Sequence, residues 1–133
     1  KSRRRVEHLK IPKIKQSEND VKKAIREFLE LNEYEVYRMN NGGGFRGFNK
    51  EGKQRFSFAG TSGVADLYAV KRMKSPLWIE TKATGKKPTD DQYKFGKKIN
   101  ESYGTFWIWA DSFDMFLELF NDIKNGYGLS KGI

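Results

Sequence analysis

Three observations predict an α/β domain with a small mixed sheet flanked by helices. Segments beginning at Ser17 and Ser112 repeat their apolar residues at helical spacing. The runs GVADLYAV, LWIETK and TFWIWA are short, near-continuous apolar stretches of the kind that become strands covered on both faces. In order along the chain, the elements read helix, strand, two further strands, helix, strand, helix, and such mixed connectivity suits a small sheet sandwiched between helices.

Residues 1–16, KSRRRVEHLKIPKIKQ, are rich in positive charge and show no period, so they read as a basic N-terminal arm. One reading of the arm is a disordered tail; the sharper one has Arg3, Arg4 and Arg5 on phosphates. Residues 17–133 form the single domain. Ser17 caps a helix whose inner stripe is Val21, Ile25, Phe28 and Leu29, and the spacing of Glu18 from Val21 and Ile25 puts this acid on the apolar face. Tyr34 to Met39 alternates as a strand and runs into Asn40, Asn41 and the glycines 42–44. The following FRGFNKEGKQR is either a mobile hairpin connection or a surface offering Arg38, Arg46, Lys50, Lys53 and Arg55 to phosphates. A turn from Ala59 to Gly63 delivers the chain to the strand that Asp66 opens, and a basic turn containing Pro76 leads to the strand that carries Glu80. Thr89 to Gln92 has the form of a capping box for a helix through about Tyr103. Thr105 to Ala110 is apolar on both faces and reads as a central strand with Trp107 and Trp109 in the core; Ser112 then caps a helix through about Lys124, with Phe113, Phe116, Leu117 and Phe120 inward.

The chain has 133 residues, enough for one domain with its own core. Lys and Arg number 26 against 17 Asp and Glu, and the net charge of +9 fits an anionic polymer as partner. Neither a run of transmembrane length nor a secretory pattern is present, so a soluble, intracellular protein is expected. With no cysteine and a single histidine, His8, disulfides and cysteine-based zinc sites are excluded, and any catalysis falls to carboxylates and lysine. No Walker pattern for a nucleoside triphosphate occurs.

Asp66, Glu80 and Lys82 are the candidates for that chemistry. Residues two apart on a strand share a face, so Glu80 and Lys82 project together while Thr81 points away. Two carboxylates offer hard oxygen ligands to a divalent cation, and a lysine beside them orients a water or helps to deprotonate it. Spacing alone also admits a solvated ion pair on an exposed strand. The apolar residues around both acids favour a site, because unpaired charge in a buried strand is costly.

The motifs Ser17-Glu18, RMNNGG from Arg38 to Gly43, Gly63-Val64-Ala65-Asp66-Leu67, Ile79-Glu80-Thr81-Lys82 and Gln92, in this order, resemble the PD-(D/E)XK nuclease superfamily and within it the VRR-NUC branch. The resemblance runs from Ser17 to about Ala110, with one departure: Ala65 stands where the family usually has proline. It implies a restriction-endonuclease-like αβββαβ core. It also implies Asp66 and Glu80 as ligands of Mg²⁺ or Mn²⁺ together with the backbone carbonyl of Thr81, Lys82 as the residue that positions the attacking water, Glu18 reaching the metal directly or through water, and Gln92 bracing the site. The implied activity is hydrolysis of DNA phosphodiester bonds by a homodimer of Holliday-junction-resolvase-like character, on branched or junction DNA. Asn40 and Asn41 join the basic residues as its nucleic-acid contacts. Two alternatives remain: a sequence-specific restriction-like or homing endonuclease, and a nucleic-acid-binding module without catalysis.

Overall fold

The computed structural model describes residues 14–39, 44–48, 54–57, 62–102 and 104–126, with 44–48 and 54–57 described by their backbone. In chain order the elements are α1 (Glu18–Leu31), β1 (Glu35–Arg38), β2 (Gly44–Phe48), β3 (Gln54–Ser57), β4 (Leu67–Val70), β5 (Leu77–Thr81), α2 (Asp90–Glu101), β6 (Phe106–Ala110) and α3 (Phe113–Lys124). The protein is thus α/β, with a four-stranded mixed sheet in the order β1-β4-β5-β6 and three helices. β1 and β5 both run antiparallel to β4, while β6 runs parallel to β5 and returns through α2. The glycine-rich loop between β1 and β4 contains the antiparallel β2–β3 hairpin.

Two devices from the sequence start the helices where expected. The Ser17 hydroxyl accepts from the Asp20 amide and the Asp20 carboxylate accepts from the Ser17 amide, a closed capping box. Thr89 and Gln92 form the second box, and Ser112 caps α3 by accepting from the Met115 amide. α2 ends at Glu101, short of the expected Tyr103, which lies outside the described residues.

Register assigns the two faces of the sheet. Leu67, Ile79 and Ile108 stand side by side across β4, β5 and β6, and with Ala69, Leu77 and Ala110 they bury one face against Val21, Ile25 and Leu29 of α1 and Phe116 and Phe120 of α3. Phe28 fills the seam between these helices, meeting Phe113, Phe116 and Phe120 edge-on at 5.6, 5.9 and 5.3 Å. On the opposite face the row Tyr68, Trp78, Trp107 lies under α2. Phe95 of α2 meets Trp78 at 5.2 Å, and Gly96 sits so close to the Trp107 ring that a Cβ there would overlap it.

Two expectations change. β6 is an edge strand among the described residues, not a central one; it reads as apolar on both faces because α2 and α3 cover it from either side. Trp107 is fully buried as expected, whereas Trp109, at the end nearest the acids, is only half-buried.

The described end of the arm is hydrogen-bonded to the domain. Gln16 donates its amide to Thr84 Oγ1 at 2.9 Å, accepts from the Thr84 amide with its carbonyl at 3.0 Å, and accepts from the Phe113 amide with Oε1 at 3.2 Å. The Asp111 carboxylate accepts from the Gly85 amide at 2.9 Å, so the loop after β5 is pinned to the start of α3. Residues 1–13, and with them Arg3, Arg4 and Arg5, lie outside the described residues.

Candidate active site

Antiparallel register between β4 and β5 decides which side chains meet. Leu67 pairs with Ile79, and continuing by one residue sets Asp66, which immediately precedes β4, opposite Glu80 near the end of β5. The two acids therefore lie at one end of the central strand pair rather than along an outer edge of the sheet. Both are buried, Asp66 at 6% and Glu80 at 1% exposure. Gly63 brings the chain there: its φ of +82° favours glycine, and a Cβ would strike the Asp91 carbonyl in the first turn of α2.

Asp66 is held from β5. Its Oδ2 accepts from the Thr81 amide at 2.9 Å and from the Thr81 hydroxyl at 2.7 Å. The Thr81 side chain therefore acts on the site, contrary to the expectation that it simply points away. The amide and carbonyl of one residue in an extended strand face the same edge, so the Thr81 carbonyl also faces Asp66, while the Lys82 amide turns the other way to donate to Ala110 at 2.9 Å.

Glu80 and Lys82 project together as the two-residue spacing predicts: Lys82 Nζ stands 3.7 Å from Glu80 Oε2. Glu80 Oε1 is buried with no hydrogen-bond partner. The Glu80 carboxyl is pushed up to about 8, first by burial and then by the charge of Asp66. A hydrogen bond to Asp66 and the charge of Glu18 push the same way, and Lys82 opposes them. Burial and the facing Asp66 thus disfavour the Glu80 charge, and Oε1 has no hydrogen-bond partner to offset this.

Glu18 enters from the first turn of α1 at 46% side-chain exposure, so it lies at the mouth of the site and not on the buried face expected from its spacing. Its angular position does follow the stripe of Val21 and Ile25, but the buried contacts begin only at Val21, so Glu18 projects past the end of the core. Gln92 starts α2 beside the Gly63 turn, where its Oε1 accepts from the Thr89 amide at 2.8 Å; this is the capping role legible in the sequence. Among the described residues no group of three or more His, Cys, Asp or Glu side chains is disposed to hold a metal ion. The donors that do converge are two carboxylates and one backbone carbonyl.

Lys22 belongs to the site and was not anticipated. Its Nζ lies 3.8 Å from Asp66 Oδ1 and 3.8 Å from Glu18 Oε2. Its four-residue step from Glu18 accounts for that pair, which shares one helix face, whereas the approach to Asp66 comes from where α1 packs.

Of the expected nucleic-acid contacts, Arg38 is exposed at the last position of β1, and the next residue, Met39, donates its amide to the Asp66 carbonyl at 2.7 Å. Arg46 and Arg55 lie on β2 and β3, where only the backbone is described. Asn40, Asn41, Lys50 and Lys53 lie outside the described residues. The chain matches no protein-family model, and no curated protein matches it.

Proposed function

We propose that this chain is a metal-dependent endodeoxyribonuclease, cutting branched or junction DNA as a homodimer, with Asp66, Glu80 and Lys82 at its centre. The observation that carries the reading is the buried pair of facing carboxylates with Lys82 alongside and Glu80 Oε1 unsatisfied. A pair of acids repels phosphate unless a cation intervenes, and that orphaned oxygen is a ready ligand. Asp66, Glu80 and the Thr81 carbonyl form a hard-oxygen donor set that fits Mg²⁺ or Mn²⁺. Such an ion supplies Lewis acidity toward a phosphoryl oxygen.

The chain's own residues supply the rest. Thr81 fixes the Asp66 carboxylate through two donors, so that Oδ2 is oriented before any ligand arrives. Lys82, held to Glu80, stands where an ammonium orients a water and offsets charge on the phosphate. Glu18, at the open side, would act on the same centre directly or through water, and its charge already acts on Glu80. Arg38, together with the arm and the hairpin arginines, would hold the DNA backbone, and the net charge of +9 suits recognition of nucleic-acid shape through phosphates.

The test is incubation with plasmid, linear duplex and a four-way junction under Mg²⁺, Mn²⁺ or EDTA. Cutting selective for the junction and lost in EDTA is expected. A discrete fragment from linear duplex would shift the assignment to a restriction-like enzyme, and binding without cutting under every metal condition would leave a non-catalytic binding module.

A further inference from the structure

The face of the sheet that carries Asp66 and Glu80 also carries a row of aromatic rings. Two-residue alternation puts Tyr68 of β4 on the face of Asp66, and Trp78 of β5 on the face of Glu80. Register extends the row to Trp107 of β6 on one side and, on the other, to Tyr37 of β1, which pairs with Tyr68. The Tyr68 and Trp78 rings lie 4.5 Å apart. α2 covers the β5–β6 half of this row through Phe95 and Gly96. Among the described residues the β1 half is open: Tyr37 is 50% exposed, whereas Trp107 is fully buried. The Tyr37 hydroxyl donates to Glu35 Oε2 at 2.8 Å, which steadies the ring before any ligand arrives. Tyr37 also stands beside the acids. Met39, two residues on, donates its amide to the Asp66 carbonyl, so Tyr37 lies one strand over and roughly 7 Å along from Asp66.

We propose that Tyr37 is a substrate-contacting residue, which stacks on an unpaired nucleobase adjoining the phosphate at Asp66 and Glu80 and so selects branched DNA with unpaired nucleotides at the branch. This rests on the nuclease reading above, which brings DNA to the acid face. Inside a duplex both faces of a base are covered by its neighbours, so a protein ring reaches a base face only where the nucleotide is unpaired. Every base has such a face, and stacking on it needs no sequence readout. Arg38, the next residue on the same edge strand, is exposed and offers a cation to the adjoining phosphate. Glu35 lies on the side of Tyr37 away from Asp66, where its charge repels phosphate and bounds the platform.

The test uses two fluorescein-labelled junctions, one fully paired and one carrying two unpaired thymines at the branch. Their affinities are measured by anisotropy in EDTA, so that no strand is cut, for the wild type, Tyr37→Phe and Tyr37→Thr; threonine keeps the strand preference without a ring. Circular dichroism checks that each variant is folded. The wild type and Tyr37→Phe should bind the junction with unpaired thymines at least about fivefold more tightly, the low end for one stacked base. Tyr37→Thr should bring the two affinities together. Equal affinities in the wild type, or a preference that survives in Tyr37→Thr, overturn the role of Tyr37. Cleavage of the same DNAs in Mn²⁺ decides the nuclease reading separately: a ring-dependent preference without cutting defeats that reading and leaves the stacking role of Tyr37 standing.

Discussion

Replacing Glu80 by Gln removes the ionisation and keeps the shape of the side chain, which isolates the electrostatic cost of the acid pair. Glu80 titrates at about 8 in the folded protein against 4.5 for an ordinary glutamate, so between these values the folded state binds the extra proton. The stability this confers is complete below about pH 4.5 and is lost as the pH rises through about 8. At 1.36 kcal/mol per pH unit, ionising Glu80 in the metal-free fold costs roughly 3 kcal/mol at pH 7 and at most roughly 5 kcal/mol above pH 8. Urea unfolding in EDTA at pH 5, 7 and 8.5 measures it. The wild type should weaken across this series, while Glu80→Gln should weaken far less and be the more stable protein at pH 8.5. Parallel pH profiles for the two proteins would refute the claim that burial and Asp66 act against the Glu80 charge.

Lys82→Ala should abolish cleavage while Mn²⁺ binding and DNA binding persist, as followed by product formation and electrophoretic mobility; full activity would remove the lysine from the mechanism. Thr81→Val keeps the volume and the amide but deletes the hydroxyl donor to Asp66 Oδ2, and should lower stability by roughly 2 kcal/mol in urea melts. Gly96→Ala places a Cβ in the Trp107 ring, and overpacking of this kind should cost about 2 kcal/mol and alter the near-ultraviolet tryptophan signal.

The parts of the fold governed by local chemistry were legible in the sequence. Ser17, Thr89 and Ser112 each begin a helix because a short polar side chain satisfies an otherwise unpaired amide, a signal contained within four residues. The apolar runs around Asp66 and Glu80 announced buried strands, and the two-residue step from Glu80 to Lys82 announced their shared face. Sheet order was less legible. β6 looked central because burial on both faces records the helices above and below a strand, not the presence of neighbours at its sides. Thr81 and Lys22 escaped for a related reason. The Thr81 hydroxyl reaches Asp66 across a strand pair, and Lys22 reaches it from a separate helix; both contacts depend on tertiary placement that no local pattern encodes.

The central claim is that Asp66 and Glu80 grip a divalent cation. Its most direct test is the Mn²⁺ binding isotherm of the wild type beside those of Asp66→Asn and Glu80→Gln at pH 7.5. Saturable binding by the wild type that either substitution eliminates or weakens by at least about tenfold is the predicted result; isotherms that superimpose would contradict it.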